Sequence, residues 1–227
     1  MLLFRVDSGK IIGLGHIMRC INFANYILEK YHFKSIFISK KHEGYFSIND
    51  YETYYMHSEP ISNDISTWLG GTISNEIEFI TPIILKNKIK ILIIDHYSID
   101  YNYETILKKS FPNLKIFIID DLFKKHLCDF YLSQNYYSSY NLNLINKNTQ
   151  CFLGPTYSII NNDLKQNLIA KKNTRKSILI CFGGSDTNNT TEKIIKLLMK
   201  SENFCKYSFN IVVGKCYSNL DSLMKTI

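Results

Sequence analysis

The chain opens on Leu2-Leu3-Phe4-Arg5-Val6, passes through Asp7-Ser8-Gly9-Lys10-Ile11-Ile12-Gly13-Leu14-Gly15-His16, and then changes period. From Ile17 the apolar side chains fall at Ile17, Cys20, Ile21, Ala24, Ile27, Leu28 and Tyr31. That is the i, i+3, i+4, i+7 spacing of one buried helical stripe. A strand feeding a helix through a loop with two spaced glycines restricts the fold more than any other feature. Gly13 and Gly15 let the backbone turn tightly and approach a ligand closely. Free N–H groups and the positive end of the helix dipole attract anions such as phosphate. The same field opposes protonation of His16 and favours a neutral imidazole that can accept a proton. Two readings compete here: a βα turn whose histidine merely caps the helix, and a neutral base beside an anion cradle. A Gly-x-Gly without a third glycine does not separate them.

Similar units follow. Ser35–Ser39, Ile89–Ile94, Lys115–Ile119 and Asp129–Ser133 read as strands, several apolar throughout, as in a parallel sheet covered on both faces. Helical patterns lie between several of them, over Ile17–Tyr31, about Asn75–Lys88 (with Pro82 at a kink or in the first turn) and Tyr101–Lys109. This alternation predicts an α/β fold with an open, doubly wound sheet and right-handed crossovers. Ligands of such sheets collect at the carboxyl ends of the strands. Polar residues recur at that edge: Asp7 after the first strand, Asp95-His96-Tyr97, Asp120-Asp121, and Gln134-Asn135-Tyr136. Singly each is a turn or helix cap; together they outline a cleft. The stretch His42–Gly71, which contains Trp68 and Gly70-Gly71, has no regular pattern and is not assigned.

A boundary comes at Cys151-Phe152-Leu153-Gly154-Pro155, and Asn161–Lys176 is rich in Asn, Lys and Gln like a linker. A new βα unit begins at Ser177–Phe182, turns at Gly183-Gly184-Ser185-Asp186 and continues into a helix through Ile194, Ile195 and Leu198. Another strand, Tyr207–Val213, ends at Gly214. The glycine turn reads either as a second anion cradle or as a tight turn with Asp186 or Thr187 as the N-cap. The expected organisation is an N-terminal domain over 1–157, a linker over 158–176 and a partial C-terminal domain over 177–227.

Composition narrows the function classes. With 227 residues, 45% of them hydrophobic, the chain can bury a sizeable core in one or two domains. No apolar run approaches the ~20 residues that span a bilayer, and Arg5 and Asp7 interrupt the N-terminal stretch too early for a secretory signal. Cys20, Cys128, Cys151, Cys181, Cys205 and Cys216 form no C-x-x-C pair, which predicts a reduced, cytoplasmic protein without structural zinc. His16, His32, His42, His57, His96 and His126 are scattered, so no metal site is expected. The net charge of +7 is spread along the chain. Lys40-Lys41, Lys124-Lys125 and Lys171-Lys172 do not make the concentrated stripe of a nucleic-acid binder, and a mildly basic balance suits a diphosphate-bearing substrate.

Arg5-x-Asp7-Ser8 followed by Ile12-Gly13-x-Gly15-His16-x-x-Arg19-Cys20 resembles the opening motif of the pseudaminic acid pathway UDP-sugar hydrolases. Those enzymes act on UDP-2,4-diacetamido-2,4,6-trideoxy-β-L-altropyranose. They are related to spore-coat polysaccharide biosynthesis proteins and, more distantly, to MurG-type glycosyltransferases. Ile94-Asp95-x-Tyr97, Ile119-Asp120-Asp121, Gln134-Asn135, Gly154-Pro155-x-Tyr157 and Phe182-Gly183-Gly184-Ser185-Asp186 continue the match in order. The resemblance implies a GT-B arrangement of two Rossmann-like halves, the N-terminal one catalytic and the C-terminal one, incomplete here, holding most of the UDP. It implies His16 and Tyr97 as catalytic residues. Asp7, Ser8, Gly13, Gly15, Arg19, Asp95, Asn135, Gly183, Gly184 and Ser185 are implied as substrate-binding, and no cofactor is implied. The implied reaction is hydrolysis at the anomeric carbon with inversion and release of UDP, His16 taking a proton from the attacking water. General-base assistance of that kind typically contributes ~10²–10⁴-fold.

The chain departs from the family pattern twice. An arginine shortly after Gly-Pro-x-Tyr is replaced by Ile159-Ile160-Asn161-Asn162, and family members continue well past the position of Ile227. The expectation is therefore a half-built second sheet with an unpaired edge and an uncovered apolar face, few UDP contacts, and little hydrolase activity from this chain alone. A truncated product, half of a split protein completed by a second chain, and a non-catalytic remnant are the three accounts. A GT-B glycosyltransferase and a non-catalytic docking partner are the competing functions. No nucleic-acid or membrane partner is expected.

Overall fold

A computed structural model describes residues 1–136, 145–161, 164, 177–214 and 217–227. Most of the expected linker, including Lys171-Lys172, and Cys216 lie outside the described residues. The chain forms β1 (Leu2–Val6), α1 (Gly15–Tyr31), β2 (Ser35–Lys40), β3 (Glu52–Met56), α2 (Ile73–Lys86), β4 (Ile91–Asp95), α3 (Tyr101–Ser110), β5 (Lys115–Ile119), β6 (Phe130–Ser133) and β7 (Gln150–Leu153). β8 (Ser177–Cys181), α4 (Thr190–Leu198), β9 (Ser208–Val212) and α5 (Leu220–Thr226) follow.

The first seven strands make one sheet in the order β3-β2-β1-β4-β5-β6-β7, and every neighbouring pair is parallel. β1 lies inside, so the order reverses beside it. This is the open, doubly wound α/β sheet that the alternation predicts, and it is Rossmann-like, as the resemblance implies. Successive strand residues face opposite sides, and both sides are apolar. Phe4, Val6, Phe37 and Ile93 pack under α1 with Ile17, Cys20 and Ala24. Leu3, Ile36, Leu92 and Ile116 pack under α2 and α3 with Ile80, Ile83, Tyr103 and Leu107. Among the described residues no helix is long and apolar enough to cross a membrane.

Several boundaries differ from expectation for local reasons. The strand expected to start at Ile89 starts at Ile91, because Lys88 takes a left-handed φ of +49° and Ile89 N–H closes back on the Ile84 carbonyl. Pro82 sits inside α2 rather than in its first turn, which Thr72 caps. β3 falls within the unassigned stretch: Glu-Thr-Tyr-Tyr-Met is a half-exposed edge strand without an apolar run. β7 is only four residues long.

β8 and β9 form a separate two-stranded parallel sheet. Ile180, Phe209 and Ile211 pack against Ile195, Leu198 and Leu223. The outward face carries Leu179, 68% exposed, and Val212, 50% exposed.

Candidate active site at the carboxyl edge of the sheet

α1 begins without a side-chain cap and without an acidic residue in its first turn. His16 is therefore not the capping residue, since the N-cap position belongs to Leu14. The preceding loop is closed by the Gly9–Gly13 bridge, and Gly13 holds φ at +82°, a left-handed value that favours glycine. A side chain added at Gly13 or Gly15 would meet nothing within 4 Å, so the loop faces open space.

His16 is 8% exposed, yet its nearest neighbours are polar. Its Nδ1 lies 2.6 Å from Asp95 Oδ1 at the end of β4, and its ring meets Tyr97 edge-on at 4.4 Å between centroids. Arg19, one helical turn along α1, grips Asp95 with two nitrogens: Nη2 donates to Oδ1 at 2.6 Å and Nε donates to Oδ2. Its Nη1 donates to Asp121 at the end of β5, 2.6 Å away. Burial pushes the Asp95 carboxyl upward, but His16 and Arg19 outweigh it and hold the group down at about 2. Asp95 is thus an anion. Arg19 Nη2 also approaches His16 Nδ1, at 3.3 Å, but the carboxylate oxygen is nearer and is the charged acceptor, so Nδ1 carries the proton. The lone pair then resides on Nε2, which has no hydrogen-bond partner among the described residues. The Tyr97 hydroxyl donates to Asp121 at 3.3 Å. Burial, reinforced by Asp121, pushes this phenol up to about 12, so it stays protonated near neutrality.

This arrangement supplies an oriented imidazole, a buried anion behind it, and backbone amides of an uncapped helix beside it. It can take a proton from a nucleophile and meet negative charge.

Not every expected site residue gathers here. Asp7 is buried among the chain's own donors: Arg5 Nη1 at 2.5 Å, the Lys40 amide at 2.7 Å, His96 Nε2 at 3.0 Å and His42 Nε2 at 3.1 Å. Arg5 in turn reaches Glu76 on α2 at 2.8 Å. This network beneath the loop makes Asp7 a scaffold for the β1 end. Ser8 is buried as well, its Oγ accepting from the Phe46 amide at 2.9 Å. Asn135 is exposed beyond β6 at the same edge. A cavity of about 280 Å³ between β3 and α2 is bordered by Lys40 and Glu76, but these are spent on each other, Lys40 also on the carbonyls of Leu69 and Gly70 and Glu76 also on Arg5.

In the second glycine turn, Gly183 has φ +81° and open space around it. A side chain at Gly184 would lie 3.3 Å from Leu14 Cγ, so this turn faces the start of α1. Ser185 is half-buried beside it. The amides that open α4 are occupied: Asp186 accepts from Thr190 N–H at 2.8 Å and from Thr191 N–H at 2.7 Å. The N-cap position belongs to Asn189 rather than to Asp186 or Thr187, but the Asp186 side chain closes the helix end from three residues upstream.

Two participants have little local signal. Asp121 shares a dipeptide with Asp120, which caps the following turn through Leu122 and Lys124, and nothing in Asp-Asp says which one faces the site. Trp68 stacks on Tyr97 with centroids 5.9 Å apart and planes 23° apart. It comes from the unassigned stretch, and no spacing points to it.

Among the described residues no grouping of three or more His, Cys, Asp or Glu side chains is arranged to hold a metal ion.

No family model matches the chain. It is 29% identical, over 99% of its own length and 73% of the relative's, to a UDP-2,4-diacetamido-2,4,6-trideoxy-beta-L-altropyranose hydrolase of Campylobacter jejuni. It is 24% identical, over 96% of its length, to an uncharacterised protein of Methanocaldococcus jannaschii, of which it spans 43%. The motif resemblance thus extends along nearly the whole chain, and with the Rossmann-like sheet it makes this protein similar at the family level to a UDP-sugar hydrolase.

Proposed function

We propose that the protein hydrolyses a UDP-linked diacetamido-trideoxy sugar at its anomeric carbon, within a GT-B arrangement, in the route to pseudaminic acid or a related surface polysaccharide. The observation that carries this reading is His16, whose Nδ1 is bound to an Asp95 carboxylate that Arg19 clamps. A histidine fixed in that tautomer is a general base through Nε2.

Nε2 removes a proton from a water molecule as the water oxygen bonds to the anomeric carbon. The bond from that carbon to the diphosphate oxygen breaks, and its electron pair leaves with UDP. Attack from the face opposite the diphosphate inverts the centre. The imidazolium that forms is stabilised by Asp95, in the manner of the His–Asp pair of hydrolytic triads. Charge growing on the diphosphate is met by backbone N–H groups of the Gly13–His16 and Gly183–Ser185 turns. Tyr97 braces the edge of the imidazole. Asp7 and Ser8 support the loop from beneath, and Asn135 reaches the substrate from the β6 edge.

The test is UDP release from the sugar nucleotide without any acceptor, with the product anomer read by NMR. Release that requires His16 and gives the inverted anomer supports the hydrolase. Release only after an acceptor sugar is added identifies a glycosyltransferase instead, and no turnover with either makes the chain a non-catalytic partner.

A further inference from the structure

Trp68 is the sole tryptophan of the chain, and its position is costly to arrange. The segment leaving β3 starts at the sheet margin, whereas Tyr97 follows β4, three strands away in the order β3-β2-β1-β4. At ~4.8 Å per strand the chain travels ~14 Å across the carboxyl edge before it returns to α2. The loop is fastened along its length. Glu59 N–H donates to the Gly70 carbonyl at 3.0 Å, Asp64 accepts from Ser66 N–H at 3.0 Å, and Ser98 Oγ donates to the Ile65 carbonyl. Lys40 Nζ holds the Leu69 carbonyl at 2.5 Å. Gly70, at φ +56°, closes the loop where a side chain would lie 2.4 Å from Ser58 Oγ.

All this fixes an indole that the cores do not use. Trp68 belongs to neither apolar cluster of the large sheet. It is half-buried, its Nε1–H is satisfied by the Ser62 carbonyl at 3.0 Å, and it rests on the ring that braces His16. Its polar edge is thus satisfied within the loop while part of the apolar ring stays open at the edge where His16 and Tyr97 lie.

We infer that Trp68 is a specificity-determining residue, its indole forming the apolar wall against which the sugar of the nucleotide sugar packs. The inference rests on the hydrolase reading above. A diacetamido-trideoxy hexose carries two acetyl methyls and a C6 methyl in place of hydroxyls, so its surface is unusually apolar and suits an aromatic wall. A fully hydroxylated hexose lacks those methyls.

Because the indole is unique, tryptophan emission reports this one place. The protein carrying His16→Asn, which leaves the sugar nucleotide intact, is titrated with the UDP-diacetamido-trideoxy sugar, with UDP-glucose and with UDP, and saturation is checked by calorimetry. A shift or quench with the first ligand and little change with UDP supports the wall. In the otherwise native chain, Trp68→Ala should raise KM about tenfold with kcat within about twofold, and Trp68→Phe should restore most of the loss. Unmoved emission on a calorimetrically saturated protein, with KM unchanged in Trp68→Ala, overturns the wall and leaves the hydrolase standing. Absence of both calorimetric binding and UDP release overturns the hydrolase reading and the wall with it.

Discussion

The chain contains two strand–glycine–helix turns that look alike in sequence and differ in what their helix ends are free to do. After β1, Gly13 and Gly15 lead into α1 with no side chain on its first amides, and the loop sits on a buried lattice of Arg5, Asp7, Glu76 and Lys40. After β8, Gly183 and Gly184 lead into α4, whose opening amides are taken by Asp186. That turn rests on a two-stranded sheet one face of which, among the described residues, leaves Leu179 and Val212 exposed. A glycine turn therefore makes an anion site only when the chain leaves the helix terminus unoccupied, and a precise one only when the strand beneath is held. The first turn has a helix terminus without a side-chain cap and a strand end held by that lattice. In the second, the backbone of the glycine turn remains available and the helix end does not.

Substitutions should grade this difference. The largest effect is expected from His16→Ala, which removes the base and should lower the rate of UDP release ~10²–10⁴-fold without altering the circular dichroism spectrum. Asp95→Asn should cost ~10²-fold or more, because an amide at that position permits the wrong imidazole tautomer. If Asp95→Asn retains full activity, the first turn owes its chemistry to something other than the clamped pair.

In the second unit Gly214 backs the glycine turn so closely that a side chain would lie 2.2 Å from the Gly184 carbonyl oxygen. Gly214→Ala should destabilise that unit by ~1–3 kcal/mol, as overpacking does, seen as faster proteolysis beyond residue 177 with the first sheet protected. Equal protection of both regions would erase the contrast.

Between mildly acidic and alkaline pH, a stability effect should arise in the first region. His126 is buried between Glu104, 2.5 Å from its Nδ1, and Asp120, 3.5 Å from its Nε2. Burial opposes its charge, but the two carboxylates outweigh burial and raise its pKa to about 9. A folded value above the unfolded ~6.5 gives stability that is complete below ~6.5 and is lost as pH rises through the folded value. Urea midpoints should therefore fall between mildly acidic and alkaline pH, and His126→Asn should flatten the trend. A slope that survives the substitution removes His126 as its source.

The smallest effect is expected from Asp186→Ala, about 1 kcal/mol for a lost cap. With α4 uncapped, UDP affinity should stay the same or rise. A tenfold loss of affinity instead would make Asp186 a ligand group and return the second turn to equality with the first.

Much of the first region was legible in the sequence. β1 and β5 fall on their apolar runs, and α1 ends where its stripe ends. His16, Asp95 and Tyr97 stood out because each lies just after a strand or at the start of the helix that follows one, whereas Arg19, a turn further along α1, was marked only by the family resemblance. At Asp7 the sequence is silent on surroundings, because a strand-end carboxylate looks the same whether it meets a ligand or a buried arginine; its burial against Arg5, which also reaches the sequence-distant Glu76, is visible only in the fold. β3 was hidden because an edge strand needs only partial burial and so carries no apolar run.

The sequence by itself determined the alternation of strand and helix, and hence a doubly covered parallel sheet, because burial on both faces demands apolar runs and crossovers demand amphipathic helices. Tertiary structure alone decided which carboxylate backs the histidine, which helix end is occupied, and that the tryptophan of an irregular loop crosses to Tyr97. Those outcomes depend on meetings between residues dozens of positions apart, and local periodicity carries no record of distance through space.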